Sequence, residues 1–263
     1  MHMPRGVLTT LCLMVMAAST SLGQTAEELN TRSKEMLTEG NMQAAVPLLR
    51  SAAELGHPEA QFNLAVCYQQ GVEVERNDSI ANYWLTRSAE QGSVNAQFKI
   101  AYSYAVGRGC EKDMTKAFHW TMKCAEQNDP ECMWNLLGCY ANGTGTEQNN
   151  DSMLHWAQRL ASLPDMEGLE MSGYITNARL NLAVMYRDGN NVARNARTSY
   201  MWYLIYNESK RDHSILEQRK NIEAMKSLEA ELSEADRDGA KDDAEQQIGR
   251  KLMNLDNLHK EDM

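Results

Sequence analysis

Residues 81–104 read ANYWLTRSAEQGSVNAQFKIAYSY, and residues 117–140 repeat the same order of residue types as AFHWTMKCAEQNDPECMWNLLGCY. Trp84 and Trp120 hold equivalent places in these stretches, and Trp156 follows after the same step of 36 residues. A constant period of this length is typical of proteins built from stacked repeats. The period therefore predicts a repeat array.

Other residues recur in step with the tryptophans. Three columns precede each Trp at constant distances: Tyr68, Tyr104 and Tyr140; Gly71, Gly107 and Gly143; Asn77, Asp113 and Asn149. A fourth copy keeps these mutual spacings with Tyr186, Gly189, Asn195 and Trp202, but it comes ten residues late. We interpret the delay as an insertion at residues 161–176, and its Pro164, Gly168 and Gly173 predict a surface loop.

Each repeat contains two apolar runs with helical spacing, so we predict two helices per repeat and an all-α fold. The Asn/Asp column supplies an N-cap for each second helix. The Gly column ends each first helix, because glycine adopts the left-handed conformation without a side-chain penalty. In the third repeat, Leu137 stands where the other repeats have a small residue, and the small residue is shifted by one position to Gly138. We therefore expect looser packing there.

A longer motif carries a family resemblance. The string Ala-x-x-Trp-x-x-Lys/Arg-x-Ala-Glu-Gln-Gly runs from Ala81 to Gly92 and, with a final Asn, from Ala117 to Asn128. Ala-Gln-x-x-Leu/Ile-Ala-x-x-Tyr-x-x-Gly follows it in the second repeat. Over roughly residues 42–207 the chain resembles the Sel-one-like repeat, a relative of the tetratricopeptide repeat. The resemblance implies a right-handed α-solenoid of helix-turn-helix repeats with period 36.

The flanking segments differ from the repeats. Residues 1–23 combine Arg5, a short apolar stretch and a Ser-Leu-Gly end, which predicts a signal peptide cleaved after Gly23. We divide the rest into an N-terminal capping helix pair at 24–56, a repeat array of about four units at 57–207, and acidic C-terminal capping helices at 208–263. The leader indicates a periplasmic or secreted protein, and no mature segment is long and apolar enough for a membrane span.

The formal net charge of −10 bears on partners. An acidic surface repels phosphates, so we expect no nucleic acid among them. A protein or peptide ligand fits a repeat array better, because stacked repeats present an extended surface. The sequence leaves the oligomeric state open.

The cysteines suggest one disulfide. Cys124 and Cys132 lie eight residues apart across the tight Asn128-Asp129-Pro130 turn, where a bridge would join neighbouring helices. A cysteine-rich exported branch of the resembled family bridges helices at this spacing, although its cysteines occupy a position one residue away. The alternative is that both are small buried residues.

The sequence contains no recognisable catalytic residue, metal ligand set or cofactor motif. Gly107-Arg108-Gly109 is similar to a phosphate-binding loop, but it falls in the turn that every repeat requires. His119 and His155 share a column, and with no partner ligand fixed to both they indicate one face of an amphipathic helix. The sequence therefore favours a protein without catalytic activity.

Binding residues are predicted on the first helix of each repeat, which lines the concave side of such solenoids. Counting back from the Tyr column gives a polar line, and related tetratricopeptide clamps resemble this use of Asn and Lys. The line and its apolar neighbours are Asn63, Lys99, Asn135 and Asn181, beside Phe62, Phe98, Trp134 and Leu180, with Tyr102 one turn after Phe98. Repeated carboxamides suit capture of a peptide backbone. The alternative is a core aromatic line beside a merely solvated polar line.

Three functions follow for testing. The first is an exported scaffold that holds a peptide or protein in its groove. The second, implied by the resemblance alone, is a cell-wall-directed hydrolase or beta-lactam-binding protein. The third is a structural subunit whose groove is filled by its own tail or by a second copy.

Overall fold

The computed structural model describes residues 24–165, 169–208 and 215–255. These residues form twelve α-helices and no β-strand. The helices are α1 Ala26–Thr38, α2 Met42–Glu54, α3 Pro58–Gln70, α4 Asp78–Glu90, α5 Val94–Val106, α6 Met114–Glu126, α7 Pro130–Asn142, α8 Asn150–Ala161, α9 Leu169–Asp188, α10 Ala196–Glu208, α11 Ile215–Glu231 and α12 Glu234–Ile248. The chain divides into an N-terminal body that ends at Lys112 and a C-terminal body that begins at Asp113.

The helix ends follow the predicted columns. Asn77 caps α4 by accepting the Ile80 N–H at 3.0 Å, and Asp113 caps α6 by accepting the Lys116 N–H at 2.9 Å. Asn149 and Asn195 make the same contact at the start of α8 and α10. Such a cap is worth about 1 kcal/mol. Gly71 ends α3 with a φ of 73°, in the left-handed region.

Side chains link the helices of the N-terminal body, where each of α1 to α4 packs on the helix that follows it. Gln61 and Gln97 hold equivalent places on α3 and α5 and are almost fully buried. Each donates its side-chain amide to a carbonyl near the end of the preceding helix, Ala53 or Ala89, at 3.1 Å. This column therefore fastens each repeat to the helix before it.

In the C-terminal body, the same column holds Met133, which has no donor. There the structure joins Cys124 of α6 to Cys132 of α7 in a disulfide, with the Cα atoms 5.7 Å apart. Both cysteines are fully buried. The disulfide therefore joins the two helices at the repeat in which the glutamine hydrogen bond is missing.

The prediction of a surface loop across the insertion is wrong for most of its length. Helix α9 begins at Leu169 and continues for 20 residues, so it includes Gly173. Tyr174 donates its hydroxyl to Glu131 at 3.2 Å, and its ring centroid lies 6.1 Å from that of Trp134. Ile175 is fully buried. The contacts of Tyr174 with α7 and the burial of Ile175 stabilise two extra turns that Gly173 disfavours locally.

Arg179 takes the place of the glutamine column on α9. Its Nε donates to the Ala161 carbonyl at 2.9 Å, and its Nη2 donates to the Leu163 carbonyl at 2.7 Å. Its Nη1 lies 2.6 Å from the Asp165 carboxylate. The long guanidinium therefore ties the start of the insertion to α9.

Two acidic helices follow the repeats and pack on α10. Met225 and Leu228 of α11 and Ala240 and Ala244 of α12 are buried. The chain after α12 returns to α10, where the buried Glu208 carboxylate accepts the N–H groups of Met253 and Asn254.

No helix in the described ranges is long and apolar enough to span a membrane. Residues 1–23 lie outside those ranges, so the signal peptide stays a prediction.

Candidate functional site

The predicted polar line lies on four first helices. Asn63 of α3 and Lys99 of α5 are half-buried in the N-terminal body, whereas Asn135 of α7 and Asn181 of α9 are exposed in the C-terminal body. Within the described part of the chain, none of these four side chains has a hydrogen bond or an ion pair. They differ in this from the buried glutamines, which are occupied in helix packing.

The neighbouring apolar line is half-buried at each position. Phe62 and Phe98 have this exposure in the N-terminal body, and Trp134 and Leu180 have it in the C-terminal body. None of them belongs to the fully buried core. The line therefore leaves part of its apolar surface exposed.

An apolar cavity of about 240 Å³ opens between α7, α8 and α9 of the C-terminal body. It includes Trp134 and Asn181 from the predicted lines. Its lining residues are Trp134, Leu137, Gly138, Ala141, Met153, Ala157, Ala178, Asn181 and Met185. Apart from Asn181, every lining side chain is apolar or absent, so the cavity suits an apolar group.

Gly138 explains why the cavity exists. A Cβ added there would meet no atom within 4 Å. The equivalent residues of the other repeats are larger: Val66, Tyr102 and Val184. The cavity lies in the repeat for which the sequence predicted looser packing, but its volume and its α8 wall were not predictable.

The corresponding surface of α5 is filled instead of hollow. Tyr102 is 48% exposed and Val106 is 51% exposed, one turn apart. The Arg108 guanidinium carbon lies 5.5 Å from the centre of the Tyr102 ring. The sequence pointed to Tyr102 and Lys99 but missed Val106 and Arg108, because the contact of Arg108 depends on how its turn folds back.

A second cavity, of about 320 Å³, lies between the start of the insertion and the end of α12. Its charged groups are largely occupied with one another. Arg179 binds Asp165 and two carbonyls, and Arg250 binds Glu208 at 2.7 Å. We interpret these contacts as structural.

The family model of the Sel1 repeat matches residues 35–57, 58–93, 94–129, 130–165 and 176–205, more than half of the chain. The chain belongs to the Sel1 repeat family. The first match covers residues 35–56 of the predicted N-terminal cap and ends one residue beyond it, so the cap contains a short Sel1 repeat of its own. Sel1 repeats typically mediate protein interactions and are typically non-catalytic.

Two solved structures of Sel1 repeat proteins share this fold. The Sel1 repeat protein from Oxalobacter formigenes is 24% identical, with 84% of each chain covered and a TM-score of 0.57. The protein c5321, described as a protective antigen present in uropathogenic Escherichia coli strains, is 21% identical with a TM-score of 0.56. That match covers 91% of this chain and 50% of c5321. No curated protein sequence matches the chain.

The glycine-rich turn after α5 has a packing role in its Sel1 repeat. Gly109 has a φ of 66°, and a Cβ added there would lie 2.4 Å from the Asp78 carbonyl carbon and oxygen. The Ser79 hydroxyl donates to the Gly109 carbonyl at 2.9 Å, and the Asn82 side chain donates to the Arg108 carbonyl at 2.6 Å. The turn thus packs on the start of α4, which accounts for its glycines without a phosphate.

The histidine column lies on exposed helix surface. His119 and His155 place their rings edge-on to Trp120 and Trp156, with centroids 5.4 and 5.9 Å apart. A separate cluster of potential metal ligands among the described residues consists of Cys124, Asp129 and Cys132. Its cysteines are joined in the disulfide and Asp129 caps α7, so it offers no thiolate to a metal.

Cys67 and Cys139 share a Sel1 repeat column and form no disulfide. Burial raises the pKa of each thiol above its usual range. Both therefore stay protonated at neutral pH and are poor nucleophiles.

Proposed function

We propose that this protein is an exported, non-catalytic scaffold that binds a peptide or protein segment on the first helices of its Sel1 repeats. The cavity between α7, α8 and α9 receives one apolar side chain of that segment. The supporting observation is the combination of the cavity with the exposed carboxamides of Asn135 and Asn181, which have no partner in the described chain.

The cavity has the size of a side-chain pocket. Its volume of about 240 Å³ lies below the range of about 300–1,000 Å³ that is usual for drug-sized ligands. Burial of one Leu, Met or Phe side chain contributes about 1.5–3 kcal/mol. This anchor would position the neighbouring peptide backbone beside the first helices.

The side-chain amides of Asn135 and Asn181 suit the binding of an extended peptide backbone and place little restriction on the sequence of that peptide. Each Asn offers an N–H donor and a carbonyl acceptor, and a peptide unit offers the complement. In the N-terminal body, we propose Phe62, Asn63, Phe98, Lys99 and Tyr102 as a further contact surface from the same columns.

A binding selection tests this function. Residues 24–263 would be immobilised, random dodecapeptides selected, and the affinities of the selected peptides measured by fluorescence anisotropy. We expect a shared apolar residue in these peptides. Gly138→Val places the residue of two other repeats in the cavity and should weaken binding about tenfold, equal to about 1.4 kcal/mol.

Gly173→Val is the matched control. It changes a helical glycine of α9 whose added Cβ also meets no atom within 4 Å, but Gly173 does not line the cavity. Circular dichroism would verify that both variants fold. Equal affinity of the Gly138→Val and Gly173→Val proteins for every selected peptide would contradict the proposal.

Export is tested separately. The full chain would be expressed in a Gram-negative host, and the protein recovered from the periplasm would be sequenced from its N-terminus. Export through the leader predicts a new N-terminus at Gln24, because cleavage is expected after Gly23. Retention of residues 1–23 on a cytoplasmic product would exclude it.

A further inference from the structure

Helix α5 exposes two large apolar side chains that repeat packing does not require. Tyr102 and Val106 lie one turn apart and are each about half exposed. In the column of Val106, the other first helices have polar residues: Gln70, Asn142 and Asp188. The exposure of this surface is therefore particular to the second repeat.

Two cations flank these side chains. Lys99 precedes Tyr102 by three residues and so lies on the same side of α5. Arg108 stacks over the Tyr102 ring. Neither cation forms an ion pair within the described ranges. In a chain of net charge −10, two unpaired cations beside exposed apolar groups favour an acidic ligand.

We propose that Lys99, Tyr102, Val106 and Arg108, here named the α5 patch, bind an acidic peptide segment. One apolar side chain of the segment packs on Tyr102 and Val106, and two carboxylates pair with Lys99 and Arg108. This inference rests on the proposed peptide-binding function, but it concerns the N-terminal body and uses none of the cavity residues.

The geometry limits the spacing of the two carboxylates. Seven residues of helix from Lys99 to Val106 rise about 10 Å, and Arg108 follows at the end of that helix. An extended peptide advances about 3.3 Å per residue. Because every second side chain of an extended peptide faces the same side, an apolar residue with one carboxylate two residues before it and one two residues after it presents all three groups to the patch.

Arg108 is the better placed of the two cations. The Arg108 guanidinium carbon lies 5.5 Å from the Tyr102 ring centre, and the guanidinium N–H groups form no ion pair within the described ranges. The edge of a guanidinium binds a carboxylate through two parallel hydrogen bonds. Arg108 should therefore contribute more to the discrimination of acidic from neutral peptides than Lys99.

The test uses residues 24–263 and a fluorescein-labelled peptide, Gly-Ser-Glu-Ser-Leu-Ser-Glu-Gly. A second peptide has Gln in place of both Glu residues. Fluorescence anisotropy should show at least about tenfold tighter binding of the acidic peptide in about 50 mM NaCl, and a smaller difference in about 500 mM NaCl because salt screens exposed charges.

Arg108→Gln should remove most of the preference for the acidic peptide, and Lys99→Gln should remove part of it. Arg50→Gln is the matched control, because Arg50 also lies over a tyrosine ring, that of Tyr68 at 5.9 Å, but on α2. It should leave the preference unchanged. Equal binding of both peptides, or equal effects of the Arg108 and Arg50 changes, would overturn the inference.

Two further outcomes separate this inference from the proposed function. Selected peptides that depend on Gly138 but tolerate Arg108→Gln would leave the proposed function intact and remove the α5 patch. Light scattering that shows self-association abolished by Lys99→Glu would identify the ligand as a second copy, which also contradicts an acidic peptide. If the Gly138→Val change affects no selected peptide, but the preference for the acidic peptide is retained, the cavity is rejected and the α5 patch is supported.

Discussion

At the scale of single residues, two glycines of this chain have opposite roles. Gly138 lies within α7 and borders open space, so the missing side chain creates the candidate pocket. Gly109 lies in a turn with a φ of 66°, close against the backbone of Asp78. One glycine therefore leaves space at the candidate pocket, and the other permits close packing.

Alanine substitutions should separate these two roles. Gly138→Ala should raise the free energy of unfolding by about 1 kcal/mol, because alanine favours the helix and its methyl group clashes with nothing. Gly109→Ala should lower it by more than about 1 kcal/mol, because of the positive φ and the contact with Asp78. Urea unfolding measures both values. Changes of the same sign would contradict this assignment.

Removal of a buried side-chain amide should cost more stability than removal of an exposed one. Gln97→Ala removes the hydrogen bond to the Ala89 carbonyl inside the N-terminal body and should cost about 1–3 kcal/mol in urea unfolding. Asn135→Ala, on exposed surface, should change stability by less than about 0.5 kcal/mol. A cost for Asn135→Ala as large as that for Gln97→Ala would show that Asn135 is structural.

At the scale of helices, the link between successive helices changes chemistry from repeat to repeat. It is a glutamine hydrogen bond at α2–α3 and α4–α5, a disulfide at α6–α7, and an arginine network at the insertion. The disulfide occurs where Met133 supplies no donor. Each link joins the second helix of one repeat to the first helix of the next.

The disulfide should be worth about 2–4 kcal/mol, the usual range for such a cross-link. A Cys124→Ala/Cys132→Ala variant should lose this amount in urea unfolding under oxidising conditions. Reduction of the original protein should have a similar effect once the buried bond becomes accessible. A variant as stable as the original protein would show that packing alone joins α6 and α7.

Arg179 anchors the insertion through buried contacts, so its loss should be expensive. Arg179→Ala leaves the carbonyls of Ala161 and Leu163 and the Asp165 carboxylate without their donor. We expect a loss of about 1–3 kcal/mol, because two backbone carbonyls lose a charged donor while the exposed Asp165 carboxylate remains solvated. Arg179→Lys should recover part of it. Equal losses for both variants would indicate that charge is unimportant there.

At the scale of the whole molecule, the shifted pKa values predict that stability is constant near neutral pH and falls at both acid and alkaline pH. On the acid side, hydrogen bonds from Lys34 and Asn30 lower the pKa of Glu59, and a hydrogen bond from Arg194 lowers the pKa of Glu231. The unfolded chain then binds more protons than the folded one below about pH 4.5. Stability should fall as pH decreases through these folded pKa values.

On the alkaline side, burial raises the pKa of Cys67 and of Cys139, and burial together with the Glu229 hydrogen bond raises the pKa of Tyr200. The folded protein holds these protons longer than the unfolded chain, so stability should fall as pH rises past about 8.5, where unfolded thiols ionise. Urea unfolding at stepped pH measures both declines. A Cys67→Ala/Cys139→Ala variant should begin its alkaline decline later; an unchanged decline would rule out the thiols.

The sequence alone determined the repeat period, the helix pairs and the residues that cap them, because caps and turns depend on neighbours within a few positions. It also placed Asn135 and Asn181 on the surface, because each lies five residues before the Tyr of its own repeat, Tyr140 or Tyr186, and so holds the same place on its helix. Its error at residues 169–176 arose because Gly173 is locally unfavourable in a helix, whereas distant contacts of Tyr174 and Ile175 outweigh that preference.

Only the tertiary structure decided the rest. The cavity at Gly138 depends on the absence of a side chain facing α8 and α9, and an absence has no sequence motif. The stacking of Arg108 on Tyr102 depends on a turn folded against its own helix. The anchoring of Arg179 depends on carbonyls that the insertion brings within reach. Local propensity determines where helices begin and end, but packing between helices determines which side chains meet and where space remains.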